Sequence, residues 1–206
     1  MLRYLRTFYT TLASSTVRDF LKLHLRYTGT SEDTLIDHYY EAAVQRVFAS
    51  AHIQVGSSTW IAEIDQFPCG VKRLYLPPYP LTSVSSIYYR DDTGATVEWL
   101  AANYRVSTTE GYVEPEFDGL YPSDVDSLIQ ITYVAGYSSW ATVPVDVKQA
   151  ICFLVEHYFD QRAPVGVGIS TQAIPETLQV MLDQINRGDE FLSHAGRQSY
   201  FDHIYE

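Results

Sequence analysis

The sequence has little cysteine, no long apolar run and no excess of positive charge. Two cysteines, Cys69 and Cys152, lie far apart among 206 residues, too few for a disulfide framework or a cysteine-built zinc site. The longest uninterrupted apolar run is only residues 150–155, which predicts no membrane span. No apolar stretch near the start is typical of a secretory signal, so we expect synthesis in a reducing cytoplasm.

Charge is unevenly distributed. The chain has 14 basic and 25 acidic residues, a net charge of −11. Residues 1–27 carry +4 and the rest carries −15. Residues 110–126 contain no base and six acids: Glu110, Glu114, Glu116, Asp118, Asp124 and Asp126. Because binding to DNA phosphates needs clustered Lys and Arg, we expect any contact with DNA to be weak or repulsive.

Apolar spacing predicts two helices near the start. The first begins after Ser14, Ser15 and Thr16, which are good N-cap residues, and ends at Gly29. The second begins at Ser31 and presents a wide apolar stripe as far as residue 51. The short connection predicts an antiparallel pair.

From residue 57 to about 141 the apolar period changes to two, with frequent turn residues. This predicts strands that include hairpins around residues 91–94 and 109–111. A third helix is expected from Pro144 to Pro164, and a last one over residues 176–186 after Pro175.

The predicted fold class is therefore α+β. An antiparallel N-terminal helix pair and a third long helix form a bundle, with an inserted antiparallel β section and an extended C-terminal tail. Residues 1–56 hold an N-terminal extension and the helix pair, and residues 57–141 hold the β section. Residues 142–187 hold the C-terminal helices that complete the bundle, and residues 188–206 form the tail.

No motif of known chemistry is recognisable. Six histidines are scattered without a short-spaced pair, and Gly166-Val167-Gly168 lacks the third glycine of a dinucleotide fingerprint. We therefore expect no metal, no cofactor and no catalytic residue. The Arg-rich start is also typical of an organellar transit peptide, but its continuity with the second helix favours a structural helix.

An ordered series of short phrases carries a family resemblance across residues 15–187. Its members are Leu23-His24-Leu25-Arg26, Thr59-Trp60, Leu76-Pro77-Pro78-Tyr79-Pro80-Leu81, Ser83-Val84, Ile87-Tyr88-Tyr89, Asp92-Thr93-Gly94, Tyr104-Arg105-Val106, Val134-Ala135-Gly136-Tyr137, Val143-Pro144, Gln149-Ala150-Ile151, Tyr158 with Arg162, and Ile174-Pro175. In this order and spacing they resemble the head-to-tail connector proteins of tailed bacteriophages, also called adaptor or head-completion proteins. Prophages and gene transfer agents have them too.

The resemblance implies a ring of copies, usually a dodecamer, beneath the portal protein in the neck of the virion. The ring would continue the DNA channel, without sequence-specific DNA binding, and offer a platform to the downstream neck or tail protein. It also implies a C-terminal segment that docks onto the portal, here the tail with Phe191, Leu192, Tyr200, Phe201, Ile204 and Tyr205.

Two charge hypotheses accompany this interpretation. A ring needs two unlike faces, so we expect Arg18, Lys22 or Arg26 to meet acids of an adjacent subunit. The acids of residues 110–126 are expected to line the channel or a contact between subunits.

Two alternatives stay open. One is another neck component, either a head-closure or a tail-terminator protein. The other is a small cytosolic enzyme or ligand-binding domain that uses the β section.

Overall fold

The computed structural model describes residues 2–67, 73–116, 120–123, 125–161 and 176–186. These contain four α-helices: α1 (Ser15–Leu25), α2 (Asp33–Ala51), α3 (Val145–Asp160) and α4 (Glu176–Ile185). They also contain eight strands: β1 (Leu2–Tyr9), β2 (Ser58–Ile64), β3 (Leu74–Tyr75), β4 (Leu81–Asp91), β5 (Thr96–Glu98), β6 (Tyr104–Ser107), β7 (Tyr112–Pro115) and β8 (Val125–Ala135). Every pairing between these strands is antiparallel. The predicted α+β class is confirmed.

The described residues divide into two compact units. One contains residues 2–10 and 57–136, and the other contains residues 11–56 and 137–186. All strands lie in the first unit and all four helices in the second. Residues 2–9 were assigned to the N-terminal segment by the sequence analysis, but they form β1 and pair with β2.

The helical unit has one hydrophobic core to which all four helices contribute. Its fully buried members include Leu21 of α1, Val44 of α2, Ile151 of α3 and Leu182 of α4. Apolar residues at helical spacing bring these side chains to one face of each helix, and their burial supplies the main stabilising term of this unit.

The ends of α1 and α2 differ in detail from the prediction. The Ser14 hydroxyl accepts a hydrogen bond from the Val17 amide and caps α1 as expected. The helix ends at Arg26, which adopts the left-handed conformation expected of Gly29. The Ser31 hydroxyl hydrogen-bonds the Tyr27 hydroxyl, so it does not cap α2.

Five strands form one sheet in the order β1-β2-β8-β4-β5. Alternation in β2 buries Trp60, Ala62 and Ile64 on one face, as predicted. The predicted hairpin of β4 and β5 is present, with Arg90 opposite Thr96. Its turn uses a positive φ of 83° at Gly94, a conformation that glycine adopts without steric strain.

The other three strands form a second sheet in the order β3-β7-β6. The predicted hairpin around residues 109–111 is confirmed, since Ser107 of β6 pairs with Tyr112 of β7. The third helix ends at Asp160. Pro164, where the sequence analysis ended it, and the whole tail from residue 188 lie outside the described residues.

Candidate assembly surfaces

A charge cluster joins α1 to α2. Arg18 Nε donates to Asp37 Oδ1 at 2.8 Å, and a second guanidinium nitrogen donates to the other oxygen of the same carboxylate. Lys22 Nζ lies 2.7 Å from Asp33 Oδ1, and Asp33 Oδ2 lies 3.6 Å from Arg18. The hydrogen bond to Asp37 raises the pKa of Arg18 above its usual value. Arg18 pairs with Asp37, whereas Lys22, one turn later in α1, pairs with Asp33, one turn earlier in α2. The two helices therefore run antiparallel at this contact.

This cluster bears directly on the three basic residues predicted to meet an adjacent subunit. Arg18 and Lys22 are partly buried and already have acidic partners in their own chain. Arg26 is exposed at the C-terminal end of α1. An adjacent subunit's acids would therefore compete with two carboxylates of α2 for Arg18 and Lys22, but not for Arg26.

The acidic run is partly neutralised by two arginines outside it. Arg105 Nε lies 3.0 Å from Glu116 Oε2, and Arg105 faces Glu114 across the β6–β7 ladder. Arg73 Nη1 lies 3.4 Å from Glu110 Oε2, and its Nε lies 3.7 Å from Glu114 Oε2. The surface formed by the run and these two arginines is therefore less negative than the run alone.

The sequence analysis missed these arginines because they precede the run. The pairing of Arg105 could have been predicted from the sequence, since the hairpin places this residue opposite Glu114. Asp118 and Asp124 of the run lie outside the described residues, and only the backbone of Asp126, in β8, is described.

Exposed large apolar side chains in both units were also missed. On the helical unit, Phe20 and Leu23 of α1 and Phe153 of α3 are 44%, 78% and 42% exposed. On the sheet, Leu5 and Phe8 of β1 are 57% and 62% exposed. Large apolar side chains exposed together are typical of surfaces that contact another protein. Their signal in the sequence was weak, because each could equally have been a core position.

His24 of α1 contacts side chains of α3. His24 Nε2 lies 3.2 Å from Glu156 Oε2, and the His24 ring packs against the Phe153 ring at 5.9 Å. Within the described ranges, no three His, Cys, Asp or Glu residues group closely enough to hold a metal ion. In the same part of the chain, no helix has both the length and the apolar character needed to cross a bilayer.

The six apolar or aromatic tail residues predicted to dock onto the portal all lie outside the described residues.

A sequence profile of the head completion protein family matches residues 16–184, so the chain belongs to that family. Membership of this family makes it a structural head completion protein and not an enzyme. No curated protein matches the sequence significantly.

Solved structures share the fold. A chain in the neck of an empty gene transfer agent particle, computed with C6 symmetry, matches with a TM-score of 0.66 and 21% identity, over 90% of this chain and 95% of that one. A chain of the virion of a native gene transfer agent particle gives 0.66 and 20%, over 89% and 94%. A chain in the neck of the native particle, computed with C12 symmetry, gives 0.59 and 17%, over 87% and 95%.

Proposed function

We propose that the chain is the head-to-tail connector of its particle. Copies form a closed ring beneath the portal protein, and the ring extends the DNA channel and provides the attachment platform for the next neck or tail protein. The family match over residues 16–184 carries this proposal. The similar chains from necks computed with C6 and C12 symmetry support a ring, and a dodecamer fits both symmetries.

In the proposed ring, each subunit is a helical bundle with β2 to β8 inserted between α2 and α3, and β1, which precedes α1, pairs with β2 in the same sheet. The ion pairs of Arg18 and Lys22 with Asp33 and Asp37 hold the α1–α2 pair together. Arg26 is the basic residue best placed to meet acids of an adjacent subunit, because it is exposed beyond this cluster.

We propose that DNA passes through the channel without being held. The chain's net charge of −11 disfavours phosphate binding. The acids of residues 110–126 contribute to the channel or to a contact between subunits, with Arg73 and Arg105 reducing their charge. A channel lined by unpaired Lys and Arg in the assembled neck would contradict this part of the proposal.

The tail from residue 188 is proposed to dock onto the portal through Phe191, Leu192, Tyr200, Phe201, Ile204 and Tyr205. A terminal segment with six apolar or aromatic residues has much surface to bury against a partner. Deleting residues 189–206 should abolish binding of the purified chain to its portal ring while the urea midpoint of the chain, followed by circular dichroism, stays the same. Unchanged portal binding by the shortened chain would refute the docking role.

The function is tested by mixing the purified chain with the portal ring of the same particle and imaging the mixture by electron microscopy. A connector should add a ring of density to the tail-facing end of the portal. A head-closure or tail-terminator protein should leave the portal bare and bind only after another neck protein has been added. That second result would overturn the proposal.

A further inference from the structure

Strand β1 forms one edge of the five-stranded sheet, and in the described part of the chain β2 is its one strand neighbour. An edge strand of eight residues directs the N–H and C=O groups of alternate residues away from the sheet. Another strand that pairs with this edge would satisfy these backbone groups.

Strand β1 lacks the features that usually prevent such pairing. Its sequence, LRYLRTFY, contains no proline, glycine, lysine or acidic residue. Leu5 lies opposite Ile61 of β2, on the face away from the buried Trp60, and Phe8 lies opposite Thr59 on that same face. Both side chains are more than half exposed. A partner on this edge would therefore cover apolar surface as well as backbone.

The opposite edge of the same sheet has complementary charge. Strand β1 carries two arginines and no acid. Strand β5 forms the other edge, and residues 91–98 carry Asp91, Asp92 and Glu98 and no base. Asp92 and Glu98 are exposed. Opposite charges on two facing strands favour this pairing over β1 with a second β1.

We propose that β1 of one copy pairs with the β5 edge of the adjacent copy, so that the sheet continues from subunit to subunit. The inference rests on the proposed ring. Four successive antiparallel pairings separate β1 from β5, so the two strands run in the same direction. A rotation between neighbours in a ring keeps the strand directions similar, which makes this contact a short parallel ladder of up to three residues of β5.

The contact uses two different edges of one subunit and is therefore heterologous, the type that generates rings when the rotation closes. Strand β1 ends before residue 16, where the family match begins. The interface is thus a property of this chain that family membership does not supply.

Disulfide cross-linking in assembled particles tests the inference. Leu5→Cys and Thr96→Cys place thiols on the same face of the sheet, because Thr96 and Glu98 continue the face of Tyr88 and Gln130. Cys69→Ser removes one native thiol, and Cys152 is buried. Under mild oxidation, the chain with both new cysteines should give a ladder of multimers on a denaturing gel. Neither single-cysteine variant should form a cross-link, because the proposed contact needs one thiol on each strand.

Three results would overturn the inference: a dimer from Leu5→Cys alone, which indicates β1 against β1; a cross-link to a different neck protein; or no cross-link. Cryo-electron microscopy of the same particles distinguishes failure of the β1–β5 contact from failure of the proposed function. A ring beneath the portal without cross-linked multimers on the gel refutes the β1–β5 contact alone. The absence of a ring refutes both this contact and the proposed function.

Discussion

Ile151 of α3 should be among the most sensitive positions of the helical unit. Its side chain is fully buried in the core shared by the four helices. Ile151→Ala removes three carbons, which costs about 2.4 kcal/mol at ~0.8 kcal/mol for each buried carbon. The cavity left behind adds about 1 kcal/mol. The free energy of unfolding should therefore fall by about 3 kcal/mol, measured by urea denaturation followed by circular dichroism at 222 nm.

Phe153 is the matched control, because it lies two residues further along the same helix and is 42% exposed. Phe153→Ala removes a larger side chain, yet it should cost less than about 1 kcal/mol in the isolated subunit. The chain divides into two compact units and all four helices lie in one of them, so the comparison concerns the transition in which helical signal is lost. Equal losses for the two variants would refute the assignment of Ile151 to the core.

Three further outcomes follow from individual side chains. Burial raises the pKa of Cys152 to about 11, so iodoacetamide at pH 8 should label Cys152 in urea but not in the native chain; fast native labelling would contradict its burial. The hydrogen bond from the Thr93 hydroxyl, with backbone donors, lowers the pKa of Asp91, so the contribution of Asp91 to the β4–β5 turn is present at neutral pH and lost as the pH falls through that lowered pKa. An NMR titration should give Asp91 a lower midpoint in the native chain than in urea. Arg18→Glu places like charges against two carboxylates of α2 and should lower the urea midpoint more than Arg26→Glu does; equal shifts would show that the ion pairs do not hold α1 to α2.

The periodic elements could be predicted because their signals are local. Alternation at Trp60, Ala62 and Ile64 predicted β2, and the turn sequence at residues 91–94 predicted the hairpin that follows. The N-cap at Ser14 was equally readable. In each case one side chain or one short pattern determines the local conformation, with no need of distant residues.

Strand β1 could not be predicted in the same way. Its residues show no clear alternation, and the strand is defined by pairing with β2, about fifty residues later in the chain. The ion partners of Arg18 and Lys22 could not be predicted either, since they depend on how two helices face each other. A net charge summed over residues 1–27 therefore overstated how much positive charge this region offers to another subunit.

We propose above that this chain forms the ring that joins the portal to the rest of the neck. Cryo-electron microscopy of the particle neck tests it most directly. We expect a closed ring of this chain in contact with the portal, with twelve copies around the DNA channel. Density for the chain at the far end of the neck, separated from the portal by another protein, would contradict it.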